Sequence, residues 1–354
     1  MHLQPLIEVL RGGLVESSHL VSFALVDADG QLIASWGDPE LVTFMRSSAK
    51  PFQAIPVVES GAADHYHFEA RELALICASH SGTEMHVQAA QRLLAKIDVA
   101  ETALQCGVHI PYDDETYEAL LRTGGSLEPI RNNCSGKHAG MLALAKHLGE
   151  DLDSYLSPDH PVQHSILGVI VDMTGLPIED IVVGVDGCSA PTFAVPLRSA
   201  ARAYAQLADH QNRSAPYAMA TQQIFAAMTA HSQFVGGPDR FDTQFMQTVD
   251  GRFLSKSGAE GFQCVGLPPG SLREGSPALG LAIKVHDGDD KNHRAAALTA
   301  LELLGQLGGF KAGEQERLDS FDARVLESLS GTIVGRVRTN PIFRDNFELN
   351  HEWE

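Results

Sequence analysis

Strand-forming segments occupy both ends of this 354-residue chain and helix-forming segments fill its middle, and this distribution narrows the fold more than any other feature. Val21 to Val26 is rich in strand formers, Asp29-Gly30 is a hairpin turn signal, and Gln31 to Trp36 returns with more apolar residues, which predicts a β-hairpin. Strand character comes back in Arg252 to Lys256, Phe262 to Val265, Leu279 to Val285 and Thr332 to Val337, with a helical pattern over Arg294 to Leu307. Between the two ends, helices are predicted over Glu84 to Ile97 with Thr83 as N-cap, His138 to Leu148 ending at Gly149, Val162 to Met173 ending near Gly175, Arg198 to Ala208 and Tyr217 to Ala230. The economical arrangement is an α+β fold: an antiparallel sheet from the N- and C-terminal parts, flanked by helices, with a helical central subregion. No internal repeat, low-complexity tract or long linker interrupts it, so a single domain over residues 1–354 is expected.

A hydrophobic content of 44% supplies a sizeable core, and a net charge of −19 repels polyphosphate and anionic lipid. Without a long basic run to override that charge, nucleic acid and membrane surfaces are not expected partners, and a small molecule is. The opening Met1-His2-Leu3-Gln4-Pro5 has neither a basic nor a long apolar region, and no segment approaches a membrane span. Cys77, Cys106, Cys134, Cys188 and Cys264 are an odd set of singly spaced cysteines rather than a disulfide framework, which fits a reducing cytoplasm.

Chemistry concentrates first in Ser47-Ser48-Ala49-Lys50. A serine hydroxyl becomes a nucleophile only beside a base, and a lysine three residues along a helix reaches it from one turn away. A lysine serves as that base where burial or a second cation favours its neutral form. Pro51 and Pro56 limit this helix: it should start within two residues of Ser47, and Pro56 should bend or end it. The later Lys256-Ser257-Gly258 strengthens the reading, because in serine penicillin-recognising enzymes a Lys-Ser-Gly or Lys-Thr-Gly strand faces the Ser-x-x-Lys helix.

Cys77-Ala78-Ser79-His80-Ser81-Gly82 follows an apolar helical stretch and reads as a helix-to-loop junction. Its serines either cap the next helix or make Ser79 a second hydroxyl paired with Lys256, with His80 as a polar group able to touch a substrate. Arg131 to His138 is dense in polar residues and opens a helix, and Val182 to Asp186 is an apolar strand running into Gly187-Cys188-Ser189. Spacing alone announces no zinc site there, and Cys134 and Cys188 read as two buried thiols. Asp287-Gly288-Asp289-Asp290 lacks the alternating ligands of a calcium loop and reads as a solvated turn.

Taken together and in order, Arg46 to Pro51, Cys77 to Gly82, Asn133 to His138, Asp186-Gly187-Cys188 and Lys256 to Gly261 resemble the Rhizobium-type L-asparaginases. Arg11-Gly12, Val15-Glu16-Ser17 and Val235-Gly236-Gly237 extend the likeness over nearly the whole chain. The resemblance implies a serine β-lactamase and glutaminase-like fold, unrelated to the bacterial and plant-type asparaginases, and hydrolysis of L-asparagine to L-aspartate and ammonia. It implies two Ser-Lys pairs, Ser47 with Lys50 and Ser79 with Lys256, a zinc ion held by Cys134, Lys137 and Cys188 with Asp186 nearby, and a homodimer. For the substrate's α-carboxylate and α-ammonium the candidates are Arg46 and Asp186. The alternatives are a serine glutaminase or other small-amide amidase, whose substrate differs by one methylene, and a non-catalytic amino-acid or zinc-binding protein. Ser47, Lys50, Ser79 and Lys256 are all present, which weighs against the last.

Overall fold

The computed structural model describes residues 4–212, 214–215, 217–288, 294–319, 321 and 325–346; Asp289 and Asp290 of the acidic turn lie outside them. In chain order the strands are β1 (Pro5–Arg11), β2 (Leu14–Asp27), β3 (Leu32–Trp36), β4 (Val42–Phe44), β5 (Val182–Val185), β6 (Pro191–Pro196), β7 (Leu254–Gly258), β8 (Phe262–Leu267), β9 (Leu279–Val285), β10 (Val325–Glu327) and β11 (Ile333–Thr339). The described residues sort into two compact units, each assembled from segments distant in sequence.

The first unit comprises Met1–Thr43, Val195–Asp209 and Thr248–Glu354. Its sheet runs β10-β11-β1-β2-β9-β8-β7, with β3 also on β2, and its ladders are antiparallel. The predicted hairpin is β2 with β3, closed by Gly30 N–H to Asp27 O and set in register by Ala24 opposite Ser35. β2 changes character along its length. Its first half pairs with β1 and is largely exposed, whereas Val21 to Asp27 lies between β3 and β9 and is buried throughout. β8 is buried at every position, as expected of a strand covered on both faces. The helices Leu197–Ala208 and Arg294–Gln306 pack on β8 and β9. The first lies so close that a Cβ on Gly280 would meet Ala201 O at 1.8 Å, so only glycine fits under that helix backbone.

The second unit, Phe44–Ala194 with His210–Gln247, is mainly helical. Its central helix, Ser135–Leu148, is buried continuously from Ser135 to Ala145 and therefore carries no polar face. Lys50–Glu59 and Ala70–Ile76 pack on it, Pro161–Thr174 lies against Lys50–Glu59, and Ala218–Ala230 lies against Ala70–Ile76. The predicted start of the first helix resolves into a 3₁₀ turn, Arg46–Ala49, running into the α-helix Lys50–Glu59. Pro51 falls in the first α-turn, where a missing N–H leaves nothing unpaired, and the helix continues past Pro56 to Glu59. Thr83 precedes the helix Glu84–Lys96 in extended conformation as expected, but its hydroxyl bonds His86 Nδ1 at 2.7 Å instead of capping the backbone.

Candidate active site

Ser47 lies in the 3₁₀ turn, half-buried, and its carbonyl accepts the Lys50 N–H. The Lys50 side chain is 1% exposed, and its Nζ donates to Ala78 O at 2.6 Å. The amine thus ends on the carbonyl immediately before Ser79, while its backbone stays one turn from Ser47.

The Cys77–Gly82 loop is held from two sides. Ser79 N–H donates to Val235 O and Ser81 Oγ to Gly236 O, both at 2.9 Å, and His80 N–H donates to Asn133 O at 3.2 Å. Neither serine caps the following helix. Gly237 has φ +126°, and a Cβ there would sit 2.5 Å from Ser81 Oγ, so this clamp requires glycine on two counts.

His80 is fully buried with both ring nitrogens engaged. Gly82 N–H donates to Nδ1 at 3.1 Å, so Nε2 carries the proton and donates to Ser135 Oγ at 2.9 Å. Its ring stacks on His86 at 4.8 Å, and His86 is fixed the same way, between Thr83 Oγ1 and Gln233 O. Burial, then neighbouring His86, Lys50 and His109, holds the His80 pKa well below the usual imidazole value. Burial likewise lowers His86 to about 4. Burial thus favours the neutral form of both imidazoles.

Arg46 and Asp186 form an ion pair. The guanidinium donates from Nε at 2.9 Å and from its terminal nitrogen at 2.8 Å to the same carboxylate oxygen, which also accepts Gly187 N–H. Arg46 adopts φ +50°, a left-handed conformation that costs a non-glycine residue about 1 to 3 kcal/mol. The Asp186 backbone closes the turn between β5 and β6 through Asp186 N–H to Ala190 O and Ser189 N–H to Asp186 O, both at 2.9 Å.

That turn carries Cys188, and the start of the central helix carries Cys134 and Lys137, bringing all three together in one buried cluster. Lys137 Nζ donates to Cys188 Sγ at 3.0 Å. The Cys134 thiol hydrogen bond, followed by the Lys137 charge, drives the Cys188 pKa far below the usual thiol range against the cost of burial. Cys134 is correspondingly pushed up, by its bond to Cys188 and by burial. Burial opposes the Lys137 ammonium, but Cys188, Cys134 and Asp186 outweigh it and raise its pKa. The three groups thus bias one another toward a Cys188 thiolate, a Cys134 thiol and a Lys137 ammonium.

Cys134, Lys137 and Cys188 fit a thiophilic cation. Two sulfurs and one nitrogen converge at a buried site, and a metal would replace the protons on Cys134 and Lys137. The neighbouring His138 ring is buried; its Nδ1 shares a hydrogen bond of 2.6 Å with Tyr155 Oη, and the ring also interacts with Cys188. Among the described residues no cluster of three or more His, Cys, Asp or Glu side chains could hold a metal, so the set needs its lysine.

Lys256 belongs to the first unit, on β7, fully buried, with Nζ donating to Ser257 O at 2.8 Å. Ser47, Lys50, Ser79, His80, Arg46, Asp186, Cys134, Lys137 and Cys188 all belong to the second. Sequence reasoning assigns no role to Asn133, although its side chain bonds Ser79 Oγ, nor to Tyr155, for which spacing carries no signal.

The combination of a Ser-x-x-Lys turn with a buried amine and a hydroxyl-bearing loop is the equipment of an amidohydrolase, and the sequence matches the L-asparaginase II family over residues 7–339. The chain belongs to that family. No curated protein matches the sequence. Among solved structures, a Bacillus subtilis glutaminase in covalent complex with 5-oxo-L-norleucine is similar at 15% identity and a TM-score of 0.38, covering 82% of this chain and 89% of that one. A probable glutaminase from Bacillus subtilis, complexed with 6-diazo-5-oxo-L-norleucine, has 14% identity, a TM-score of 0.36 and coverage of 85% and 84%. Likeness at this level carries no argument about activity.

Proposed function

We propose that this amidohydrolase cleaves the side-chain amide of L-asparagine, giving L-aspartate and ammonia. The observation that carries the reading is the buried Lys50, whose backbone is one turn from Ser47 and whose amine is bonded to the carbonyl that precedes Ser79, in a chain of the L-asparaginase II family. Ser47 Oγ attacks the amide carbon as Lys50 takes its proton, and backbone N–H groups hold the resulting oxyanion. Ser79 and Lys256 pass a proton to the leaving nitrogen, ammonia departs, and water hydrolyses the aspartyl ester to restore Ser47. Arg46 and Asp186 together offer one cation and one anion, matching the substrate's α-carboxylate and α-ammonium. His80 ties the loop that carries Ser79 to Ser135 rather than exchanging a proton, since both its nitrogens are bonded.

Zinc would be held by Cys134, the neutral amine of Lys137 and Cys188. When bound it supplies positive charge that favours a nearby carboxylate. The cytoplasmic assignment is supported by five buried cysteines, none of them in a disulfide. No helix among the described residues is long and apolar enough to cross a membrane. A homodimer rests on the family resemblance. The deciding experiment compares ammonia release from L-asparagine and L-glutamine. Faster turnover of L-asparagine is expected; equal or faster turnover of L-glutamine overturns the substrate assignment, and release from neither overturns the function.

A further inference from the structure

We propose that Asn133 is a positioning residue that fixes the Ser79 hydroxyl, with Tyr112 bracing the same amide on its solvent side. The proposal rests on the role given to Ser79 above. Asn133 Nδ2 donates to Ser79 Oγ at 3.1 Å and to Tyr112 Oη at 3.4 Å. An amide nitrogen only donates, so the Ser79 oxygen accepts there and its own proton is left for another acceptor. A serine hydroxyl otherwise samples three staggered positions, and one fixed bond selects among them. The amide thus sets the direction in which Ser79 gives or takes a proton.

Asn133 is itself held on several sides. Its N–H donates to His109 Nε2 at 2.8 Å and its carbonyl accepts His80 N–H at 3.2 Å. Because His109 Nε2 accepts, Nδ1 carries the proton and donates to Ile110 O at 2.6 Å. The His109 ring stacks on Tyr112 at 5.0 Å, and the Arg240 guanidinium lies 5.4 Å from the same ring centroid. Tyr112 is 54% exposed and Ser79 6%, so the chain Tyr112–Asn133–Ser79 runs from solvent to a buried hydroxyl. An amide braced in this way acts on the proton-transfer step more than on substrate affinity.

The test measures kcat and KM for L-asparagine and L-glutamine, with melting temperatures, for wild type, Ser79→Ala, Asn133→Leu and the double variant. Leucine is close to asparagine in size and has no donor. Asn133→Ala carries the same comparison if leucine impairs folding. The expected result is a loss in kcat of about tenfold to a hundredfold for Asn133→Leu, with KM changed by less than about twofold, and no added loss in the Ser79→Ala background. Tyr112→Phe should lose less than about threefold. Wild-type kcat in a folded Asn133 variant, a loss confined to KM, or an equal loss in both backgrounds overturns the proposal. Absence of turnover by wild type instead overturns the proposed function, and turnover indifferent to Ser79→Ala removes the role of Ser79; each also removes the proposal built on it.

Discussion

Two side chains carry the weight of the proposed chemistry. Ser47→Ala should reduce amide hydrolysis by at least about a thousandfold, because the residual rate is then what binding and the oxyanion donors supply alone. Its melting temperature should stay near that of wild type, since the Ser47 side chain is only half-buried. Lys50 is different. Lys50→Met should cost a similar factor in rate and also about 1 to 3 kcal/mol of stability, because the buried Ala78 carbonyl loses the donor it has at 2.6 Å. Rates near wild type in a folded Ser47→Ala protein would overturn Ser47 as the nucleophile. At Arg46, replacement by alanine should raise KM by about tenfold or more with a smaller effect on kcat, as it removes a charge partner of Asp186 and the cation offered to the substrate. Steady-state kinetics at saturating substrate separate the two effects.

At the scale of elements, the Cys77–Gly82 loop depends on two supports that respond to different perturbations. Gly237→Ala should lower the melting temperature by several degrees and reduce kcat, since φ +126° and a 2.5 Å approach to Ser81 Oγ force the clamp to shift. The His80–His86 stack gives a pH dependence whose sign follows from both pKa values lying below the unfolded value of about 6.5. Between that value and the folded pKa the unfolded chain binds more protons, so stability is fully present above pH 6.5 and falls as pH drops. With His86 at about 4, its share amounts to about 3 kcal/mol lost by that pH. Denaturant melts at pH 7, 5.5 and 4 check this, and His86→Asn should flatten the profile.

The same scale shows what was legible in the sequence. The strands β8 and β9 and the helices Glu84–Lys96 and Pro161–Thr174 follow from residue pattern, the second helix with a glycine stop at Gly175. β1 has no assignment there, although Gly12-Gly13 before β2 is a two-residue hairpin signal. The helix Asp114–Thr123 buries none of its residues, so no core-facing stripe marks it. β5 was visible as an apolar run, yet Val185 is 78% exposed, a placement that apolar character alone does not predict. At the candidate site the motifs identified the residue types, but the Arg46–Asp186 ion pair and the Asn133–Ser79 bond join residues 140 and 54 positions apart, and spacing cannot show them.

For the molecule as a whole, metal binding offers a direct measure of the thiol cluster. Purified wild type should contain about one zinc per chain, and Cys134→Ala and Cys188→Ala markedly less. A strong chelator should lower the melting temperature of wild type, because a ligand bound only by the native state stabilises it by mass action. Equal zinc in all three proteins places the metal elsewhere. The helix Leu197–Ala208 also shows how little sequence order says about architecture: it lies within the helical middle of the chain, yet it belongs with the sheet, seated on Gly280. The outer partner of β1 comes from the far end of the chain, with Glu8 bonded to Arg338 and Asn340, 330 and 332 positions away. During synthesis on the ribosome, β1 must therefore wait for the residues up to Thr339 before that side of it can pair. So long a separation leaves that side of β1 unpaired while the intervening chain is made, and chaperone dependence in the cell should fall on this sheet.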